Sequence, residues 1–166
     1  MIKRLAQREL ETKFGAFTEI LYYDGQKESI ALVKGDVAGK EDVLCRVHSH
    51  CIGAHVFNSV ECTCREEMAD AQAVIEQAGQ GVIIWLDQEG KGNGHLALIE
   101  SIPYKQEFGQ AEAYVMAGYS KDARSYGAAA GILNDLGVRS ITLVSKSETK
   151  AAELRQAFIK VSGLTE

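Results

Sequence analysis

Proline occurs once in the 166 residues, at Pro103, and no Pro/Ser-rich stretch, internal repeat or low-complexity segment divides the sequence. Without a linker of that kind the chain reads as one domain over residues 1–166, a length that can bury a single sizeable core. No apolar run approaches the ~20 residues a membrane-spanning helix needs. The start, Met1-Ile2-Lys3-Arg4-Leu5, has basic residues but no apolar stretch of signal-peptide length, so a cytoplasmic location is expected. Basic charge is in deficit too: 18 Lys and Arg against 23 Asp and Glu leave a net charge of −5. Nucleic-acid affinity comes mainly from neutralised phosphates, so neither nucleic acid nor a membrane is an expected partner. A small phosphorylated ligand needs only a local cluster of Lys and Arg and stays open.

Cysteine is missing from all but one stretch, Cys45 to Cys64, which holds Cys45, Cys51, Cys62 and Cys64. Stable disulfides are not expected in the cytosol, so the clustering points to metal or redox chemistry. Two buried thiols and a chance pair are the bland alternative. Cys51-x10-Cys62-x-Cys64 can offer three thiolates to Zn²⁺ and leave one position open, as catalysis requires. Cys45, inside the apolar run Val43-Leu44-Cys45, reads as a core thiol. His48, His50 and His55 are also near enough to ligate, although alternation along a strand turns His50 away from Cys51.

The first third is β-rich. Ala16 to Tyr23, Ser29 to Val33 and Val43 to Val47 read as short strands of an antiparallel sheet, with turn chemistry at Asp24-Gly25 and Lys34-Gly35-Asp36. Beyond them, helix and strand alternate. Arg65 to Ala78 has helical periodicity and can stop at Gly79 or Gly81. Gly81 to Leu86 is a continuous apolar strand of the kind buried on both faces. Asp122 to Leu136 is an alanine-rich helix closed by Gly137, Ser140 to Val144 a second buried strand, and Thr149 to Phe158 a further helix. The fold class expected is α/β: N-terminal antiparallel strands, then alternating helices and strands, in a mixed sheet with helices packed on it.

Three further segments carry chemistry. Asp87-Gln88-Glu89-Gly90-Lys91-Gly92-Asn93-Gly94-His95 follows a buried strand, where ligands often bind; its glycines would let backbone N–H groups approach a phosphate and Lys91 adds charge. Asp122-Ala123-Arg124 is either a helix cap with a solvated arginine or a proton-transfer carboxylate beside a phosphate-binding guanidinium. Ser145-Lys146-Ser147-Glu148-Thr149-Lys150 can bind an anion at a helix N-terminus, or form a capping box between Ser145 and Glu148.

Taken in order, Arg46-Val47-His48-Ser49-His50-Cys51, Cys62-Thr63-Cys64, Gln88-Glu89-Gly90-Lys91, Asp122-Ala123-Arg124, Ser145 and Lys150 resemble GTP cyclohydrolase II. The N-terminal Phe14-Gly15 and Ala31 to Asp36 also fit, so the resemblance covers nearly the whole chain. It implies hydrolytic opening of the guanine ring of GTP at C8, with release of formate and pyrophosphate and formation of a diaminopyrimidinone ribosyl phosphate, the first intermediate of riboflavin synthesis. It implies Zn²⁺ on Cys51, Cys62 and Cys64, Mg²⁺ assisting at the phosphates, and a homodimer. By position, Arg46, Val47, His48 and Ser49 would contact the nucleotide, with His50, Glu67, Glu89, Gly90, Lys91, Ser145 and Lys150 also at the substrate. Asp122 matches the family's proton acceptor. Arg124 matches the arginine assigned as nucleophile, although a guanidinium suits a charge clamp better.

Several positions depart from the family pattern. His50 and Glu67 stand where the family has glutamate and glutamine, Lys91 replaces an arginine and so loses a bidentate fork, and Ser145 replaces a threonine. The catalytic tyrosine aligns with Ile102, and Tyr104 is the nearest phenol, beside Pro103 in what is normally helix. Since these changes fall on base and phosphate contacts, hydrolysis of a different purine or pyrimidine nucleotide is one alternative, and a catalytically silent nucleotide-binding relative is another.

Overall fold

Backbone pairing in the computed structural model, which describes residues 1–165, gathers seven strands into one sheet. The antiparallel part comprises β1 (Lys3–Thr12), β2 (Gly15–Tyr23) and β3 (Glu28–Lys34). After β4 (Val43–Ser49) come α1 (Ile52–Phe57), α2 (Cys64–Ala78) and β5 (Gly81–Leu86). Then follow α3 (His95–Ser101), a 3₁₀ turn at Ile102–Tyr104 containing Pro103, and α4 (Lys105–Met116), kinked at Gly109. The chain continues through α5 (Gly127–Asp135), β6 (Ile141–Leu143), α6 (Glu148–Gln156) and β7 (Val161–Leu164).

The strand order is β1-β2-β3-β5-β4-β6-β7. β5 pairs antiparallel with β3 and parallel with β4, and β4, β6 and β7 continue in parallel. The mixed α/β sheet expected from the sequence is therefore present, with β5 as the seam between its two halves.

Side-chain alternation explains how both faces are covered. On one face Val82 and Ile84 of β5, Val43, Cys45 and Val47 of β4, and Ile141 and Leu143 of β6 pack with Ala129, Ile132 and Leu133 of α5 and Ala151 and Leu154 of α6. On the other, Ile83 and Phe17 pack with Ala71 and Ile75 of α2. Cys45 is a core thiol, as its apolar neighbours predict, and burial pushes it up to about 12. Arg46 and His48 take the alternate positions of β4, which puts two buried polar side chains on the α2 face.

Three local expectations need correction. The helix expected from Asp122 starts at Gly127: the Asp122 carboxylate accepts from the Arg124 backbone N–H and side chain, closing a local turn in place of a first helical turn. The cap of α6 is Ser147, whose Oγ accepts from Lys150 N, while Ser145 Oγ accepts from Ser147 N one turn earlier. β1 and β7 add strands that the hydrophobic pattern did not announce; β1 is exposed along most of its length and is held by its ladder to β2. Among the described residues no helix is long and apolar enough to cross a membrane.

Candidate metal centre and the cleft beside it

Cys51 ends the segment leaving β4 and immediately precedes α1, Cys62 lies in the turn after α1, and Cys64 begins α2. The turn is drawn back on itself by Arg65, whose Nε donates to Ala54 O at 2.8 Å and whose second nitrogen donates to His55 O at 2.6 Å. The three Sγ atoms consequently lie within 4.8 Å of one another, with Cys51 and Cys62 at 3.6 Å. Thiolates on one tetrahedral Zn²⁺, with bonds of about 2.3 Å, stand roughly 3.8 Å apart, so the donor set and spacing fit that ion. Burial pushes the Cys51 and Cys64 thiols up, and the Cys62 sulfur adds to it. A cation among the three would favour their thiolate forms instead. Among the described residues no fourth His, Cys, Asp or Glu atom joins the group.

The sulfurs line a cleft of about 320 Å³ at the carboxyl ends of β4 and β5, the usual place for a ligand in a sheet with parallel strands. Ser49, His50, Glu89, Gly90, Lys91 and Arg124 share its wall, so much of the predicted set does come together. His50 meets the Trp85 ring edge-on, with centroids 5.3 Å apart, and its Nε2 lies 3.7 Å from Glu89 Oε2. Glu89 is buried, and its Oε1 accepts from Ile52 N at 3.3 Å and contacts His95 Nδ1 at 2.9 Å. Glu89 thus grips the residue that follows Cys51.

Other predicted residues stand behind this wall. Arg46 donates to Val144 O at 3.1 Å and to Glu67 of α2 at 3.2 Å. His48 Nε2 is 2.8 Å from His55 Nε2; burial, then the Arg46 charge, pushes His48 down to about 3, so its ring is neutral. Val47 is core, and its carbonyl accepts from Lys150 Nζ. Burial, then Arg46 and Arg124, pushes Lys150 down to about 8. Ser145 serves the turn before α6, away from the cleft wall.

Arg124 reaches the cleft while its guanidinium is held by Asp122 at 2.6 Å and approaches Glu153 at 3.6 Å. The Arg124 hydrogen bond holds the Asp122 carboxyl below the usual range, so it is ionised. Asp122 itself lines a neighbouring hollow of about 500 Å³.

Tyr104 does not line the cleft; Tyr114 does. Pro103 breaks the helix into a 3₁₀ turn, and the chain after it returns as α4, which supplies a buried phenol from ten residues further on. No local motif marks Tyr114; only the path of α4 brings it to the site. The glycine loop differs from expectation as well. The N–H groups of Gly92, Asn93 and Gly94 are bonded to carbonyls of Gln88, Glu89 and Gly90, so these amides are not directed at a phosphate.

A family model described as GTP cyclohydrolase II matches residues 3–166. GTP cyclohydrolase-2 of Streptomyces coelicolor is 38% identical over 165 residues, which cover 97% of this chain and 74% of that protein. Riboflavin biosynthesis protein RibBA of Bacillus cereus is 40% identical over 164 residues, covering 97% of this chain and 41% of the relative, so the chain spans well under half of such relatives. Among solved structures, RibBX of A. baumannii, a two-domain 3,4-dihydroxy-2-butanone 4-phosphate synthase, aligns over 99% of this chain and 40% of its own. The TM-score is 0.55 at 21% identity, a likeness of fold alone.

Proposed function

The chain belongs to the GTP cyclohydrolase II family, and from that premise we propose that it hydrolyses GTP, releasing formate and pyrophosphate and leaving a diaminopyrimidinone ribosyl phosphate. The observation that carries this reading is the convergence of Cys51, Cys62 and Cys64 on the wall of a cleft that also receives Lys91 and Arg124. Cys51, Cys62 and Cys64 would hold a zinc ion, which would supply Lewis acidity to the cleft.

The chain's own residues do the rest. Arg124 and Lys91 bring positive charge to the triphosphate, with Mg²⁺ accompanying it. Asp122 keeps the Arg124 fork in one plane and is ionised, as a proton acceptor must be. Tyr114 offers a phenol within the cleft in place of Tyr104. Arg46, His48 and Lys150 shape the site from behind, and with its pKa lowered to about 8 Lys150 is still largely protonated at neutral pH. A homodimer, as the family resemblance implies, is supported by the apolar side chains Leu96, Ile99, Phe108, Val115 and Met116 left exposed on α3 and α4.

The zinc-loaded protein incubated with GTP is expected to yield formate and pyrophosphate together, with loss of the guanine absorbance. A panel of purine and pyrimidine nucleotides tests the second reading, a different nucleotide substrate, which is favoured by His50 and its Glu89 partner in the cleft wall. Turnover of another nucleotide in preference to GTP would establish that reading; no change in any nucleotide would reject both.

A further inference from the structure

We infer that the glycine loop after β5 is a dock for the segment that carries Arg124, with Gln88 as its central positioning residue. This rests on the reading of Arg124 as a nucleotide contact. Residues 122–126 have no regular secondary structure of their own, so something else must fix the arginine. Gln88 is buried, with 7% of its surface exposed. Its Oε1 accepts from Ser125 N at 3.0 Å, next to Arg124, and its Nε2 donates to Ser49 Oγ at 3.3 Å, two residues before Cys51. One amide thus ties the arginine segment to the strand end that leads into the cysteine turn.

The rest of the loop acts in the same direction. Lys91 O accepts from Ala123 N at 2.8 Å, and Asn93 Nδ2 donates to Ser120 O at 2.9 Å. Gly92 has φ +85°, and a Cβ there would stand 2.5 Å from the Ala123 carbonyl and 2.8 Å from Arg124 N. That glycine is needed because another backbone passes against it. Together with the internally bonded amides of residues 92–94, this makes that stretch a seat for a piece of its own chain, while Gly90 and Lys91 stay on the cleft wall. The Gln88 amide accepts from Ser125 N and donates to Ser49 Oγ at once, without burying a charge. Glutamate keeps the acceptor for Ser125 and can accept from the Ser49 hydroxyl, at the cost of a buried charge; methionine keeps the bulk and loses both.

Two measurements on the zinc-loaded chain test this. Without nucleotide, amide hydrogen exchange in a peptide covering residues 120–126 should quicken roughly tenfold in Gln88→Met, and less in Gln88→Glu, with α2 and β5 unchanged. Unchanged exchange at 120–126, or a uniform rise everywhere, would overturn the inference. With nucleotide, Gln88→Met should lower kcat/KM about 10- to 100-fold alone, yet by less than about twofold when Arg124 is already alanine. Fully additive losses would show that Gln88 does not act through Arg124. Should the unmutated protein turn over no nucleotide, the proposed function falls while the exchange result alone decides the dock. If Gln88→Met does not fold, Gln88→Ala, which also removes both contacts, carries both measurements.

Discussion

The two halves of the sheet on either side of β5 obey the same backbone rules and serve different ends. In the antiparallel half, β1 exposes most of its side chains and carries charge along a free edge, which discourages edge-to-edge pairing. In the parallel half, β4 and β5 are covered by helices on both faces. The chain leaves both strands at the same end, so residues distant in sequence converge there: Cys51 after β4 and Glu89 after β5. An antiparallel pair sends its connections to opposite ends. Convergence of site loops is therefore a property of the parallel half, with the antiparallel half as scaffold.

The sharpest way to break this contrast is at the cysteines. Cys64→Ser should lower zinc occupancy and cut turnover by about 10³-fold or more while the circular dichroism of the fold persists; metal analysis and formate release on one sample check both. Unfolding of that variant would make the centre structural instead. Next in size, Arg124→Lys should lower kcat/KM about 10²-fold, because an ammonium cannot reproduce the forked contact with Asp122 and the phosphates together. Steady-state kinetics decide it.

A smaller, pH-dependent effect is expected at Lys150. Its pKa is depressed from 10.5 to about 8 in the folded chain. Between those values the unfolded chain holds the extra proton, so stability contributed through this group rises with pH across that window and is least below about 8. Lys150→Met should remove that rise and gain roughly 2 kcal/mol at pH 7; urea melts at pH 7 and pH 10.5 compare the two proteins. The smallest effect belongs to the scaffold. Arg8→Ala breaks the exposed Arg8–Glu19 pair between β1 and β2 and should change stability by less than about 1 kcal/mol, with activity unaltered. A large loss of activity there would abolish the division between the two halves.

What could be read from the sequence follows the same division. Apolar runs such as Gly81 to Leu86 betray strands buried on both faces, and the strand is found with those bounds. β1 offers no such signal, since its few apolar residues, Leu5, Ala6 and Leu10, are scattered among charged ones, and its pairing, not its burial, holds it. The cysteine cluster was legible because the three thiols lie close in sequence, Cys51 on one side of the short helix α1 and Cys62 and Cys64 on the other. Tyr114 was not, because the break at Pro103 and the kink at Gly109 set the path of α4. Asp122 at a helix start looked like a cap, yet its carboxylate serves the guanidinium two residues on. Gln88 lay in view beside Glu89, and its role needed the docking of two loops 37 residues apart.

Zinc K-edge absorption of the metal-loaded chain tests the central claim most directly. Three sulfurs at about 2.3 Å and one light-atom ligand, changed on adding nucleotide, is the predicted result. Four protein ligands closing the ion, or fewer than three sulfurs, would contradict it.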